Sequence, residues 1–340
     1  MSDDIVDIEG LEACLGKTPG GVNMKVIDHL DHEALRWLAL SPLTFVVFGD
    51  DAGPNITIAG GVPGFATAVD ASRLQLPLAS LDAPHLAGPG VGFGALFLVP
   101  GVGETLRVNG RVAALTDATV DLVIDECLLH CAKALIRSAF WQAAPAPPRK
   151  QLQEWSAPDF FAACRFMVVG TIDANGRADV SPKGDPAGLL LQLQSSPEGQ
   201  DALWYADRPG NRRADSFRNL LSNPHVALLA MIPGENAVTV ASGVARLSGD
   251  ASVCASFTVD DKVPRLVTGI MAPAIEHYQS GALTRANLWP AAPAPIDIDP
   301  AAIFAAHVTR GLQAALLRAA VSVPGMMASA LRRDYRKNLY

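Results

Sequence analysis

The apolar positions of this chain fall into short β-branched runs separated by glycine-bearing turns, and the arrangement occurs twice. TFVVFG and NITIAG flank a turn at residues 50–53, and FMVVGTI and RADVSP flank a turn at 173–176. Such runs joined by a Gly-containing turn predict hairpins. Further strands are expected at 74–78, 95–99 and 105–112, then at 202–206, 226–232 and 237–247. Residues 28–40 place Leu30, Ala34, Leu35 and Leu38 on one side and predict a helix. One further helix per copy is expected, at 120–138 and at about 263–285. Closely spaced strands with few helices between them predict antiparallel sheet closing into barrels.

The doubling extends to sequence. ALIRSAFWQAAPAP (134–147) returns as ALTRANLWPAAPAP (282–295), aligning Arg137 with Arg285 and Trp141 with Trp289. Residues 41–61 lie over 164–184 at an offset of 123, matching Asp50 with Asp173, Gly53 with Gly176 and Gly61 with Gly184. Residues 100–117 lie over 233–250, matching Gly101 with Gly234 and Gly110 with Gly243. Copies in the same order, at so long a period, predict duplicated domains rather than a solenoid. The expected division is 1–148 (first repeat with an N-terminal helix), 149–296 (second repeat) and 297–340 (helical extension). Residues 143–148 and 290–295 are Ala/Pro segments that cannot be helical and predict stiff extended connections. Asp299-Pro300 should open a helix with Ile303, Phe304, Val308, Leu312, Leu316 and Ala319 at helical spacing. A break at Pro324-Gly325 and a basic stretch (Arg332, Arg333, Arg336, Lys337) follow. The extension reads as a packing or oligomerisation element, which leaves a further homodimer open.

Composition narrows the function. At 340 residues, with 49% apolar and 18% charged residues, the chain can bury two real cores. A net charge of −7 gives no global attraction to nucleic acid, although a local arginine cluster can still hold a phosphate. The first residues, MSDDIVDIEGLE, lack the basic and apolar regions of a secretory signal, and no apolar run is long enough for a membrane span. Five scattered cysteines form no disulfide framework, so a reducing cytoplasm is the expected location.

The richest segment is LWYADRPGNRRADSFRNLL (203–221). A strand reaches Tyr205, a Pro-Gly turn follows, and Arg212 and Arg213 precede a helix whose N-terminus favours an anion. Arginine adds a planar, bidentate donor set suited to phosphate. Upstream, Ser181 and Lys183 end a strand with a hydroxyl and a cation. Other constellations carry less. Cys127, His130 and Cys131 would share one face of a helix, but no second ligand pair accompanies them and no metal is expected. Gly88, Gly90, Gly92 and Gly94 lack the spacing of a dinucleotide loop, Ser181 has no His–Asp partners, and His225 reads as a turn residue.

VSPKGD and RPGNRR in the second copy, with GETLRVNG and HCAKAL in the first, resemble the blocks of the pyridoxamine 5'-phosphate oxidase-like family of FMN-binding split β-barrels. The resemblance covers both repeats, roughly 24–296, and not the extension. It implies a mainly β fold with flanking helices (α+β): two tandem split barrels packed as an internal pseudo-dimer. Each copy departs from the pattern in a different half. The second has ENAVTVASG in place of GETLRVNG, and Tyr278, Gln279 and Gly281 where the first has His130, Cys131 and Lys133. The first has ITIAGG in place of DVSPKG and an arginine-free loop, SLDAPHLAGPG.

Reciprocal loss implies one composite FMN site per chain, the cradle of the second repeat facing the closing elements of the first. By resemblance, Lys183 and the backbone of Asp179, Val180 and Ser181 approach the flavin and Tyr205 joins the cofactor set. Arg212 and Arg213, with Arg208 or Asn211, hold the phosphate. Arg107, Lys133, Arg137 and Trp141 close the pocket, the last two weakly assigned because both copies retain them. The implied activity is a flavin-dependent oxidoreduction of a small molecule, with NAD(P)H as a possible electron donor and no side chain assigned to catalysis. The alternatives are a non-catalytic flavin carrier or sensor, or a split barrel serving deazaflavin or haem.

Overall fold

The computed structural model describes residues 4–18, 26–146, 155–195, 201–210, 213–296, 298–300, 303, 307 and 339–340. Two seven-stranded antiparallel sheets dominate. The first contains β1 (Leu43–Asp50), β2 (Gly53–Gly60), β3 (Thr67–Asp70), β4 (Arg73–Pro77), β5 (Gly92–Leu98), β6 (Thr105–Leu115) and β7 (Thr119–His130). Its strand order is β2-β1-β5-β6-β7-β4-β3. The second contains β8 (Phe166–Ile172), β9 (Ala178–Gly184), β10 (Gln192–Ser195), β11 (Asp201–Ala206), β12 (His225–Met231), β13 (Ala237–Ser248) and β14 (Val267–Gln279). Its order is β10-β11-β14-β13-β12-β8-β9, the first order read backwards with each strand replaced by its counterpart seven places on. The fold is thus one split barrel made twice.

The helices expected at 120–138 and 263–285 are mostly strand. In β7, Val120, Leu122 and Ile124 are buried while Asp121, Val123 and Asp125 face outward, a period of two. The apolar run that follows looks helical because Cys127, Leu128 and Leu129 are all buried. β14 shifts register between Met271 and Ala274, around Pro273, a residue that a helix interior would not accept. Only α3 (Lys133–Arg137) and α7 (Gly281–Ala286) are helical there. One repeat offset also needs refining. Phe166 pairs with Gly184 as Leu43 pairs with Gly60, so Gly60, not Gly61, is the counterpart of Gly184. The second hairpin carries one more turn residue, which moves the offset from 123 to 124 beyond it.

Each repeat has its own core, and a third cluster joins them. Phe45, Val47, Ile58, Leu96 and Leu98 of the first repeat pack with Phe166, Val168, Val180, Leu229 and Met231 of the second. The Phe45 and Phe166 ring centroids are 5.7 Å apart, and those of Phe140 and Trp289 5.1 Å. An apolar seam of this kind resembles a domain core and holds the repeats together as an obligate dimer would be held. The Ala/Pro segments act as straps across it. The Ala146 amide donates to the Gly234 carbonyl at 2.8 Å. Gly101 and Gly234 both have positive φ, and a Cβ at either would meet the opposite strap's backbone within 2.5 Å and 2.2 Å respectively.

The chain ends cross the seam. α1 (Ile8–Leu15) is capped by Asp7 and seats Leu11 in the core of the second repeat, where the Ile5 amide bonds the Leu247 carbonyl. α2 (His32–Leu40) packs Ala34, Trp37 and Leu38 on the first repeat, within the span the sequence predicts. Ile298 and Ile303 return to that same first-repeat core. Phe304, Val308, Leu312, Leu316, Ala319 and the basic stretch lie outside the described residues. No helix among the described residues is long and apolar enough to cross a membrane.

Candidate functional site

A cavity of about 720 Å3 opens on one side of the seam, within the roughly 300–1,000 Å3 of small-molecule sites. Its walls come from both repeats. The first supplies the end of β7 and α3, with His130, Cys131, Lys133, Ala134 and Arg137. The second supplies Ser181, Pro182 and Lys183 from β9 together with residues 207–210 and 213–217, the latter running into α5 (Asp215–Ser222). A close approach brings these walls together. A Cβ on Gly184 would lie 2.0 Å from the Ala134 carbonyl oxygen, so only glycine lets α3 rest on the end of β9.

Eight of the lining residues are Lys or Arg, against Asp207 and Asp215, so the cavity is cationic within an acidic chain. The cations divide by what holds them. Arg107, reaching across from β6, is 1% exposed and pairs with Asp179 at 2.5 Å and Asp215 at 2.7 Å. Burial opposes its charge, but these two carboxylates outweigh that and hold its pKa above the ordinary arginine value. Asp179 is fixed further by Ser216, whose hydroxyl donates to it at 2.9 Å and lies 2.9 Å from the Ser181 hydroxyl. Arg107 therefore bolts β9 and α5 to the first repeat. Arg208 is similarly committed, to Asp185 at 2.6 Å and the Phe257 carbonyl at 2.8 Å. Burial raises the Asp185 pKa, against the lowering effect of Arg208.

Lys183 is held more loosely, whereas Arg213 is paired with acids. Lys183 stands 3.4 Å from Asp207 and 5.0 Å from the Phe217 ring centroid. Arg213 contacts Asp215 and reaches Glu126 at 3.4 Å. They form a cationic pair suited to phosphate, beside the Ser181 hydroxyl, which donates to Asp179 at 3.1 Å. Leu15, Ala134, Pro182, Pro264 and Phe217 add an apolar wall suited to a planar ring. This combination of donors and apolar surface fits a flavin nucleotide.

Of the residues singled out in the sequence, Ser181, Lys183, Arg208, Arg213, Arg107, Lys133 and Arg137 line this cavity. Asn211 and Arg212 lie outside the described residues. The others point elsewhere. Val180 faces the inter-repeat core, and Asp179 presents a carboxylate already held by Arg107. Tyr205 is 1% exposed in the core of the second barrel, where burial raises its phenol pKa. Trp141 donates its indole N–H to the Val102 carbonyl at 2.6 Å and packs on Phe140. Arg137 donates to the Pro209 carbonyl at 2.6 Å, just as its counterpart Arg285 donates to Gly60 and Ser80. That shared task, tying a helix to the opposite repeat, explains why both copies keep it.

Sequence reasoning missed Lys262, Arg265, Cys14 and Tyr340, all of which line the cavity. Arg265 lies in the stretch read as helix and Lys262 just before it, and the others reach the seam from segments remote in sequence. Cys127 and His130 sit on a strand, which removes the helical face that suggested metal ligands. Among the described residues no group of three or more His, Cys, Asp or Glu is placed to hold a metal ion.

Residues 156–286 match the family model described as pyridoxamine 5'-phosphate oxidase. Among solved structures, HupZ of Group A Streptococcus is 18% identical, over 37% of this chain and 93% of its own, with a TM-score of 0.29. General Stress Protein 26 of Bacillus anthracis is 14% identical over 36% and 93%, with a TM-score of 0.26. An F420 reductase is 13% identical over 38% and 98%, also at 0.26. No curated protein matches the chain.

Proposed function

We propose, from the premise that residues 156–286 form a domain of the pyridoxamine 5'-phosphate oxidase family, that this chain is a flavoprotein with one FMN in the seam between its repeats. The observation that carries the reading is the mixed parentage of a single cationic cavity, with Lys133 and Arg137 from one repeat and Ser181, Lys183 and Arg213 from the other. In this reading Arg213, with its neighbour Arg212, takes the phosphate, and Ser181 and Lys183 bind and orient the nucleotide. Lys133 stands as the cation beside the ring. Arg107 positions the cradle through Asp179 and Asp215 rather than touching the phosphate. FMN, when bound, supplies reversible electron acceptance; the protein supplies binding, orientation and electrostatics. The activity that follows is oxidoreduction of a small molecule, with NADH or NADPH as the proposed electron donor.

The purified protein is expected to be yellow, with flavin bands at about 370 and 450 nm, and to release FMN on denaturation. Bleaching by NADH or NADPH would identify an enzyme, and its absence a flavin carrier. A Soret band, a deazaflavin spectrum, or a colourless protein that takes up no added FMN would overturn the reading.

A further inference from the structure

Three cations at one end of the cavity already hold an organic group, and it belongs to the chain itself. The Tyr340 ring stands within cation–π range of two guanidinium groups, 5.5 Å from Arg137 and 5.6 Å from Arg208, measured to the ring centroid. Lys262 donates from Nζ to the main-chain oxygen of Tyr340 at 2.9 Å, and Arg137 donates from Nε to the Leu339 carbonyl at 2.7 Å. The clamp is built in advance. Asp185 and the Phe257 carbonyl fix Arg208, whose side chain is 6% exposed and whose Nη2 is buried without a hydrogen-bond partner. Burial raises the Tyr340 pKa, so the ring presents its neutral face to the guanidinium groups. Guanidinium groups stack on aromatic faces, and a lysine beside them selects an oxygen on the same ligand.

We propose that Arg137, Arg208 and Lys262 form a subsite for a planar aromatic group carrying a nearby carboxylate or carbonyl oxygen, and that Tyr340 fills it as an intramolecular competitor. The inference deepens the flavin reading and rests on it only in taking the ligand to be a substrate. It makes aromatic acids the substrate class and gives Leu339 and Tyr340 control over access.

The test uses the full chain beside Tyr340→Ala and a variant ending at Asn338, each titrated by calorimetry with N-acetyl-L-tyrosine and, as a ringless control, N-acetyl-L-alanine. Removing the competitor should tighten N-acetyl-L-tyrosine binding by about tenfold or more and leave N-acetyl-L-alanine without measurable binding. Adding Lys262→Gln to the shortened chain should reverse most of that gain. Equal affinity in parent and variants, no binding in a variant whose circular dichroism matches the parent, or equal binding of the alanine control would overturn the proposal. Flavin content is measured on the same samples. Tyrosine binding without flavin would sink the cofactor reading alone, and flavin without tyrosine binding would sink this inference alone.

Discussion

The molecule contains the same seam twice, and the two ends have met opposite fates. On one side α3 rests on Gly184, and the space beyond is an open, cationic cavity. On the other, α7 rests on Gly60 in the same way, with a Cβ there 2.3 Å from the Ala282 carbonyl oxygen. What lies beyond differs. Asp82, from the shortened arginine-free loop, accepts from the Ser280 hydroxyl at 2.5 Å and the Ala282 amide at 2.7 Å. Its carboxylate is fixed at the start of α7, while Arg285 spans to Gly60 and Ser80. The packing that joins the repeats is common to both sides, whereas the cationic cavity described above lies on one. Duplication keeps the scaffold symmetric because each strap and each helix still needs its partner. It leaves the surfaces beyond that packing free to diverge.

Substitutions at matched positions break or sharpen this contrast. The largest effect is expected from Arg212→Ala with Arg213→Ala. Loss of two charge-assisted hydrogen bonds, at about 1.5–3 kcal/mol each, should weaken FMN by some 10²–10⁴-fold. Fluorescence titration of the stripped protein checks this, and unchanged affinity would remove the phosphate assignment. Arg107→Ala comes next, and it acts on stability. It strands the buried carboxylate of Asp179 at the seam, Asp215 keeping Arg213, and should cost about 3–5 kcal/mol in denaturant unfolding. Neutralising the stranded acid in the same chain (Asp179→Asn) should recover most of that loss, which a simple packing role for Arg107 would not produce.

The glycine pair separates scaffold from site. Gly184→Ala and Gly60→Ala should each destabilise by about 1–3 kcal/mol through overpacking. Only Gly184→Ala should also weaken FMN, because α3, which rests on it, walls the cavity described above. Equal flavin loss from both would erase the distinction between the two sides. The smallest effect is expected at Asp82→Ala, with about 1–2 kcal/mol lost from the α7 cap and no second flavin gained.

Much of this was legible in the sequence, for identifiable reasons. The hairpins β1–β2 and β8–β9 declare themselves through β-branched runs around Gly-containing turns. The duplication is visible because Arg137/Arg285 and Gly101/Gly234 do the same mechanical work in both copies. Lys183 and Arg213 stand out because a basic cluster is unusual in an acidic chain. Strands β7 and β14 were obscured for different reasons. β7 ends in a run buried throughout, so alternation fails there, while β14 carries a Pro273 that should have argued against a helix. Tyr205 looked like a cofactor contact from its neighbours, yet strand alternation turns it into the core. Asp82 and Tyr340 gave no local signal, because each matters only through residues remote in sequence, Asp82 through Ser280 and Ala282, Tyr340 through Arg137, Arg208 and Lys262.

The most direct measurement is the ratio of released FMN to polypeptide in protein saturated with the cofactor and freed of excess. The account predicts about one flavin per chain, since one seam retains the cationic cavity and the other is occupied by Asp82 and Arg285. Two flavins per chain would show that both sides remain binding sites, and none would show that the cavity serves another ligand.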